Sequence, residues 1–142
     1  MGKKRIVTTG GEGEGQKKAT QATVSKKKVE VGALYVQSTY NNTMLVLTDA
    51  KGNVLASSSS GAIGFKGAKK GTPFAAAKVG EILGAKAVAM GMKDASVIVK
   101  GVGSGRESGI RGFISKGINV ISIKDVTPVP HNGPKPKKPR RV

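Results

Sequence analysis

The apolar residues of this chain are concentrated between residues 29 and 126, in short runs broken by glycine and turn-forming residues. None approaches the ~20 residues that a membrane span requires. Several are four to eight residues long and rich in Val, Ile, Leu, Thr and Tyr, which is the make-up of β-strands. Residues 31–39 form the first such run, with Val31, Ala33, Tyr35 and Gln37 on one face and Leu34 and Val36 adding apolar character. Residues 43–48 are nearly all apolar, as expected of a strand covered on both faces. Asp49, Gly52 and Asn53 supply a turn, and residues 54–57 complete a hairpin.

The period then changes. Thr72-Pro73 is a helix start, a Thr cap followed by Pro at the first helical position, and Gly91 is the stop. Gly80 and Gly84 inside this helix each cost roughly 1 kcal/mol relative to Ala. That cost is understandable if the helix lies close against the sheet. Residues 95–100 read as a fourth strand. A second helix is expected from Ser104, with Glu107 three residues later as a capping box, Ile110, Phe113 and Ile114 as its apolar stripe, and Gly117 as its end. Residues 118–123 are the fifth strand. The order β-β-β-α-β-α-β requires antiparallel pairing early and parallel crossovers late, hence an α/β fold with a mixed five-stranded sheet.

Charge divides the chain differently. The net charge is +17, well beyond the magnitude of roughly 2–8 usual for a small soluble domain. Residues 1–28 carry eight basic and two acidic side chains, and residues 127–142 carry five basic and none acidic. The chain is therefore read as a basic, Gly- and Lys-rich extension (1–28), an α/β core (29–126) and a Pro-, Lys- and Arg-rich tail (127–142). Neither extension has the apolar content to fold alone, and five of the six prolines favour an extended tail. An excess of positive charge on this scale points to a polyanion, with nucleic acid the leading candidate. A membrane surface is the competitor, but it needs an amphipathic helix or lipid anchor. Met1-Gly2 does not supply one, because Ile6 stands where a myristoylation signal has Ser or Thr. With no Cys, one His and no secretory signal, disulfides and Cys-rich zinc sites are excluded and the cytoplasm is expected.

Two glycine-rich loops could meet phosphate. In residues 101–107, Gly101, Gly103 and Gly105 would allow close backbone approach at a helix start, Ser104 adds a hydroxyl, and Arg106 could supply a forked contact. A tight strand-to-helix turn explains the same glycines. A dinucleotide fingerprint fails, since Arg106 or Ser108 falls where its third glycine belongs. The second loop, residues 64–72, sets Lys66, Gly67, Lys69, Lys70 and Thr72 before a helix N-terminus, where cations oppose the dipole and gain nothing locally. Phosphate contact or solubility would account for them. Glu30, Asp49, Glu81, Asp94, Glu107 and Asp125 are mostly explained by turns, caps or helix surface, so no catalysis, cofactor, metal or small-molecule substrate is expected. His131 is expected to be a polar contact in an extended tail. With Tyr35, Tyr40, Phe65, Phe74 and Phe113 the only aromatics, several needed for the core, phosphate contact and shape should outweigh base stacking. A nucleotide-binding enzyme and a free RNA chaperone or nucleoid-type binder remain the alternatives.

Residues 37–43 (QSTYNNT), 64–67 (GFKG), 72–76 (TPFAA), 99–107 (VKGVGSGRE) and 125–133 (DVTPVPHNG) stand in the order found in one family. From about residue 29 onward the chain resembles bacterial-type small-subunit ribosomal protein S eleven. Val102 departs from the proline common there, and residues 1–28 have no counterpart. The resemblance implies a ribonuclease H-like, three-layer α/β/α sandwich whose nuclease relatives carry a carboxylate on the first strand, absent from residues 31–39 here. It implies a structural role on the platform of the small subunit, binding and bridging 16S rRNA near the mRNA (Shine-Dalgarno) cleft, beside ribosomal proteins S seven and S eighteen. RNA contacts are then expected at Lys26, Lys27 and Lys28, at Asn41, Asn42 and Thr43, in both glycine-rich loops, and at Arg111. In the tail they are expected at His131, Asn132, Lys135, Lys137, Lys138, Arg140 and Arg141.

Overall fold

The computed structural model describes residues 28–141; Lys26, Lys27 and the rest of the N-terminal extension before Lys28 lie outside the described residues. Five strands form one mixed sheet: β1 (Val31–Ser38), β2 (Thr43–Asp49), β3 (Val54–Ser59), β4 (Asp94–Gly101) and β5 (Asn119–Asp125). Its spatial order is β3-β2-β1-β4-β5. β2 is antiparallel to β1 and β3, whereas β1, β4 and β5 run parallel. There are two helices, α1 (Pro73–Ala89) and α2 (Arg106–Ile114), and a short 3-10 turn at Gly67–Gly71 precedes α1. The mixed five-stranded sheet and the two helices expected from the run order are present.

Among the described residues a third layer is not. β3, β4 and β5 are mutually parallel, and the chain steps across the sheet in the same direction in both crossovers. Right-handed connections then deliver both helices to the same face. Leu34, Val36, Leu45, Leu47, Val97 and Val99 are buried on that face under Val79, Leu83, Ile110 and Phe113. Among the described residues the opposite face has no helical cover: Tyr35 and Met44 are each 42% exposed. The expectation that residues 43–48 are covered on both faces fails for the same reason.

Gly80 and Gly84 mark the contact between the helices rather than one with the sheet. A Cβ on Gly80 would collide with the Gly109 carbonyl oxygen and come within 2.9 Å of the Phe113 amide nitrogen, both backbone atoms of α2. One on Gly112 would collide with the Ala77 carbonyl in return. The second helix also starts later than expected. Gly105 is its N-cap with no side-chain bond, and the Ser104 hydroxyl donates instead to the Gly71 carbonyl oxygen at 2.7 Å. A bond reaching 33 residues back along the chain has displaced the local capping box.

Candidate nucleic-acid interface

Because β1 and β4 are parallel and in register from Val31↔Asp94 to Ser38↔Gly101, their C-terminal ends finish side by side. The segments that leave them, residues 39–42 and 102–105, therefore share one end of the sheet. Gly101 (φ +106°) turns the second over the first, where any side chain would strike the Ser38 carbonyl, and the Gly103 amide donates to that same oxygen at 3.1 Å. Gly71 comes equally close to the Tyr40 carbonyl, so the lysine-bearing loop docks on the same cluster. Three segments far apart in sequence are thereby locked together, with both helix N-termini among them. Aligned peptide dipoles give that end a fixed positive character.

The expected contact residues divide by position. Asn41, Lys66, Gly67 and Lys69 are exposed at this end, with Asn42, Lys70 and Thr72 half-buried. Among the described residues, none of Lys66, Lys69 and Lys70 is in an ion pair. Thr72 caps α1 by accepting from the Ala75 amide at 3.4 Å. Thr43, Gly103 and Gly105 are buried, which corrects their reading as surface contacts. The two glycines pack against residues 38–43, so the tight-turn explanation holds for them, and Thr43 sits directly beneath Gly105. The Ser38 and Thr43 hydroxyls and the Asn42 side-chain oxygen are buried here without a hydrogen-bond partner. Lys28 lies at the opposite pole, where Val29 bonds to Met90 at the end of α1. Arg111 is on the outer surface of α2, 3.7 Å from Glu107, and borders a groove of about 520 Å³ between α2 and β5.

Arg106 is not a free fork. Its Nη2 donates to Asp125 Oδ2 at 2.5 Å, while Asp125 Oδ1 accepts from the Thr127 amide and hydroxyl at 3.0 and 2.6 Å. The Gly101 amide in turn donates to Thr127 Oγ1 at 3.2 Å. This cluster fixes where the tail leaves the core. Beyond it, residues 128–141, including His131, Asn132, Lys135, Lys137, Lys138, Arg140 and Arg141, are exposed throughout. Asn132 takes a left-handed conformation (φ 55°), which Asn tolerates better than most side chains.

The two bonds from Thr127, followed by Arg106, lower the Asp125 pKa from 3.8 to about 2. A depressed carboxylate stabilises the fold fully above its unfolded pKa and ceases to do so as pH falls through the folded value. The tail root should therefore be held from neutral pH down to about pH 4 and released toward pH 2. Carboxyl-detected NMR titration of Asp125 checks this: a midpoint near the ordinary 3.8 would mean that the cluster does not form in solution.

The family model for Ribosomal protein S11 matches residues 32–141. The chain belongs to the ribosomal protein S11 family. The match spans the sheet, both helices, the converging loops and almost all of the described tail. Membership makes the chain a structural component of the small ribosomal subunit that binds ribosomal RNA in translation. It also makes the carboxylates intelligible as structural groups, as is usual in a family that is generally non-enzymatic. Asp49 ties the β2–β3 turn through bonds from Asn53 and Lys51, Asp94 accepts from Asn119, and Glu81 pairs with Lys78. Asp49 has a lowered pKa, chiefly from the Asn53 side chain.

Sequence reasoning missed the aromatics. Only Phe113 enters the core; Tyr40 is 79% and Phe74 64% exposed. A signal existed in the helical phase, since Val79, Leu83 and Ala87 define the buried stripe of α1, and Phe74 falls with Lys78 and Ile82 outside it.

Proposed function

We propose that the end of the sheet where residues 39–42, 66–72 and 101–106 meet is the docking face for ribosomal RNA, and that the C-terminal tail extends this face. The observation that carries the reading is convergence. Parallel strands, interlocked backbones and two helix N-termini concentrate unpaired lysines at one pole, and the tail departs from the same pole. RNA phosphates would neutralise those lysines and the tail cations, with Asn41 available for sugar or base edges. Within the subunit, the motif resemblance supports the platform of a bacterial-type particle, 16S rRNA as the RNA bridged, and the mRNA cleft with S seven and S eighteen as surroundings. A cytoplasmic ribosome follows from that reading. The sheet order, with β1 central beside the first antiparallel hairpin, supports a ribonuclease H-like topology whose described helices lie on one face.

Lysine-directed protein–RNA crosslinking on assembled small subunits tests the docking face. Lys66, Lys69, Lys70 and the tail lysines should give the RNA adducts, with Lys93 and Lys116 giving few. Adducts concentrated on Lys93 and Lys116, away from the converging loops, would reverse the proposed orientation.

A further inference from the structure

The aromatic pair at the start of α1 has no role in holding the core. Phe65 and Phe74 meet edge-on, with ring centroids 6.0 Å apart and planes at 84°. Lys78 Nζ lies 5.5 Å from the Phe74 centroid and is shared with Glu81. Even with these neighbours Phe74 keeps 64% of its surface exposed. The pair is thus braced on one side and open on another, within a few residues of Lys66, Lys69 and Lys70.

We propose that Phe74, backed by Phe65, is a stacking platform for an unpaired RNA base whose flanking phosphates meet these lysines. The proposal rests on the reading of this pole as the RNA-docking face. An exposed ring offers a π-face that any base can use, and cations beside it hold the adjoining backbone. Lys78 adds a cation to the same ring, and cation–π attraction strengthens as water is excluded. An apolar protein surface would suit this patch poorly, because covering Phe74 would also desolvate several ammonium groups with nothing to neutralise them. Ribosomal RNA supplies both the flat apolar ring and the negative charge. The chain therefore reads at least one unstacked nucleotide besides phosphate and shape.

Three full-length chains test this: wild type, Phe74→Leu and Phe74→Tyr. Leu keeps apolar bulk but not the ring, and Tyr keeps the ring. Each is incorporated into small subunits in cells; the purified subunits are irradiated at 254 nm and the tryptic peptide spanning residues 71–78 is examined for an attached nucleotide. Wild type and Phe74→Tyr should carry it, and Phe74→Leu should lose at least nine-tenths of it. In competition for subunits depleted of this protein, Phe74→Leu should lose to wild type by roughly 5- to 160-fold, the range for one base stacked on an aromatic. Its thermal midpoint should be unchanged, since the ring lies outside the core. Wild-type chain that enters subunits but carries no nucleotide on residues 71–78 would overturn the stacking site alone. So would a Phe74→Leu chain that competes equally, or crosslinks from this peptide to a neighbouring protein. Wild-type chain that does not co-sediment with small subunits would overturn the RNA-docking reading, and the stacking site with it.

Discussion

Gly80→Ala should lower the thermal unfolding midpoint by 10 °C or more, although it places the best helix former inside a helix. Two effects oppose each other. Replacing Gly in a helix interior by Ala contributes about 1 kcal/mol of propensity. Against this, the new methyl would overlap the Gly109 carbonyl oxygen and sit 2.9 Å from the Phe113 amide nitrogen. Both are backbone atoms of α2, so relief requires the helices to separate over Val79, Leu83, Ile110 and Phe113. Overpacking of this kind costs about 1–3 kcal/mol and more where the obstacle is rigid. With both obstacles rigid backbone atoms the strain should reach about 3–4 kcal/mol, so the net loss should be about 2–3 kcal/mol, a large share of the stability of a small domain. Gly84→Ala is the control. Its methyl would meet the Lys116 side chain at 2.8 Å and the Phe113 carbonyl at 3.0 Å. The Lys116 Cγ can rotate away, but its Cβ and the backbone oxygen of Phe113, both at 3.0 Å, cannot, so Gly84→Ala should also lower the midpoint, by less than Gly80→Ala. Calorimetry of the two variants side by side decides the matter. Equal midpoints would mean that the helices are not in backbone contact at Gly80.

The second large effect concerns binding. Removing residues 134–142 takes away Lys135, Lys137, Lys138, Arg140 and Arg141. Each phosphate neutralised contributes roughly −0.7 to −0.9 to the slope of log K against log salt, so five contacts account for up to about 4 units. Between 50 and 200 mM salt the intact chain should therefore lose roughly 250-fold more affinity for small-subunit rRNA than the truncated one. The thermal midpoint should barely move, because residues 128–141 are exposed throughout. Filter binding at four salt concentrations measures the slope. Parallel lines for the two chains would mean that the tail cations meet no phosphate.

The elements of this fold were legible in the sequence wherever a local rule governed them. Thr72-Pro73 does cap and open α1, Gly91 (φ +81°) does end it, and the Asp49–Asn53 turn is held by the residues that predicted it. Legibility failed wherever a distant partner decided the outcome. Ser104 has the spacing of a capping box, yet a carbonyl 33 residues away takes its hydroxyl. Gly80 announced close packing and suggested the sheet as the partner, whereas the surface it meets is the backbone of α2. Residues 43–48 looked doubly covered because Met44 and Val46 are apolar, but the hand of the crossovers leaves their face without a helix among the described residues, with Met44 exposed and Val46 half-buried. At the interface, the loops and their lysines could be named from sequence, whereas their union could not, since it depends on β1 and β4 pairing in parallel. Arg106 shows the same limit, because its forked head was legible and the carboxylate engaging it was not.

The cluster of Arg106, Asp125 and Thr127 is also a pivot, and what hangs from it is long. At the polyproline rise, residues 128–141 can extend about 40 Å. A core of this size is only about 30 Å across. A chain anchored by its loops can thus place its last arginines farther away than its own body extends. The direction of that throw is set at three side chains on the core rather than anywhere along the tail.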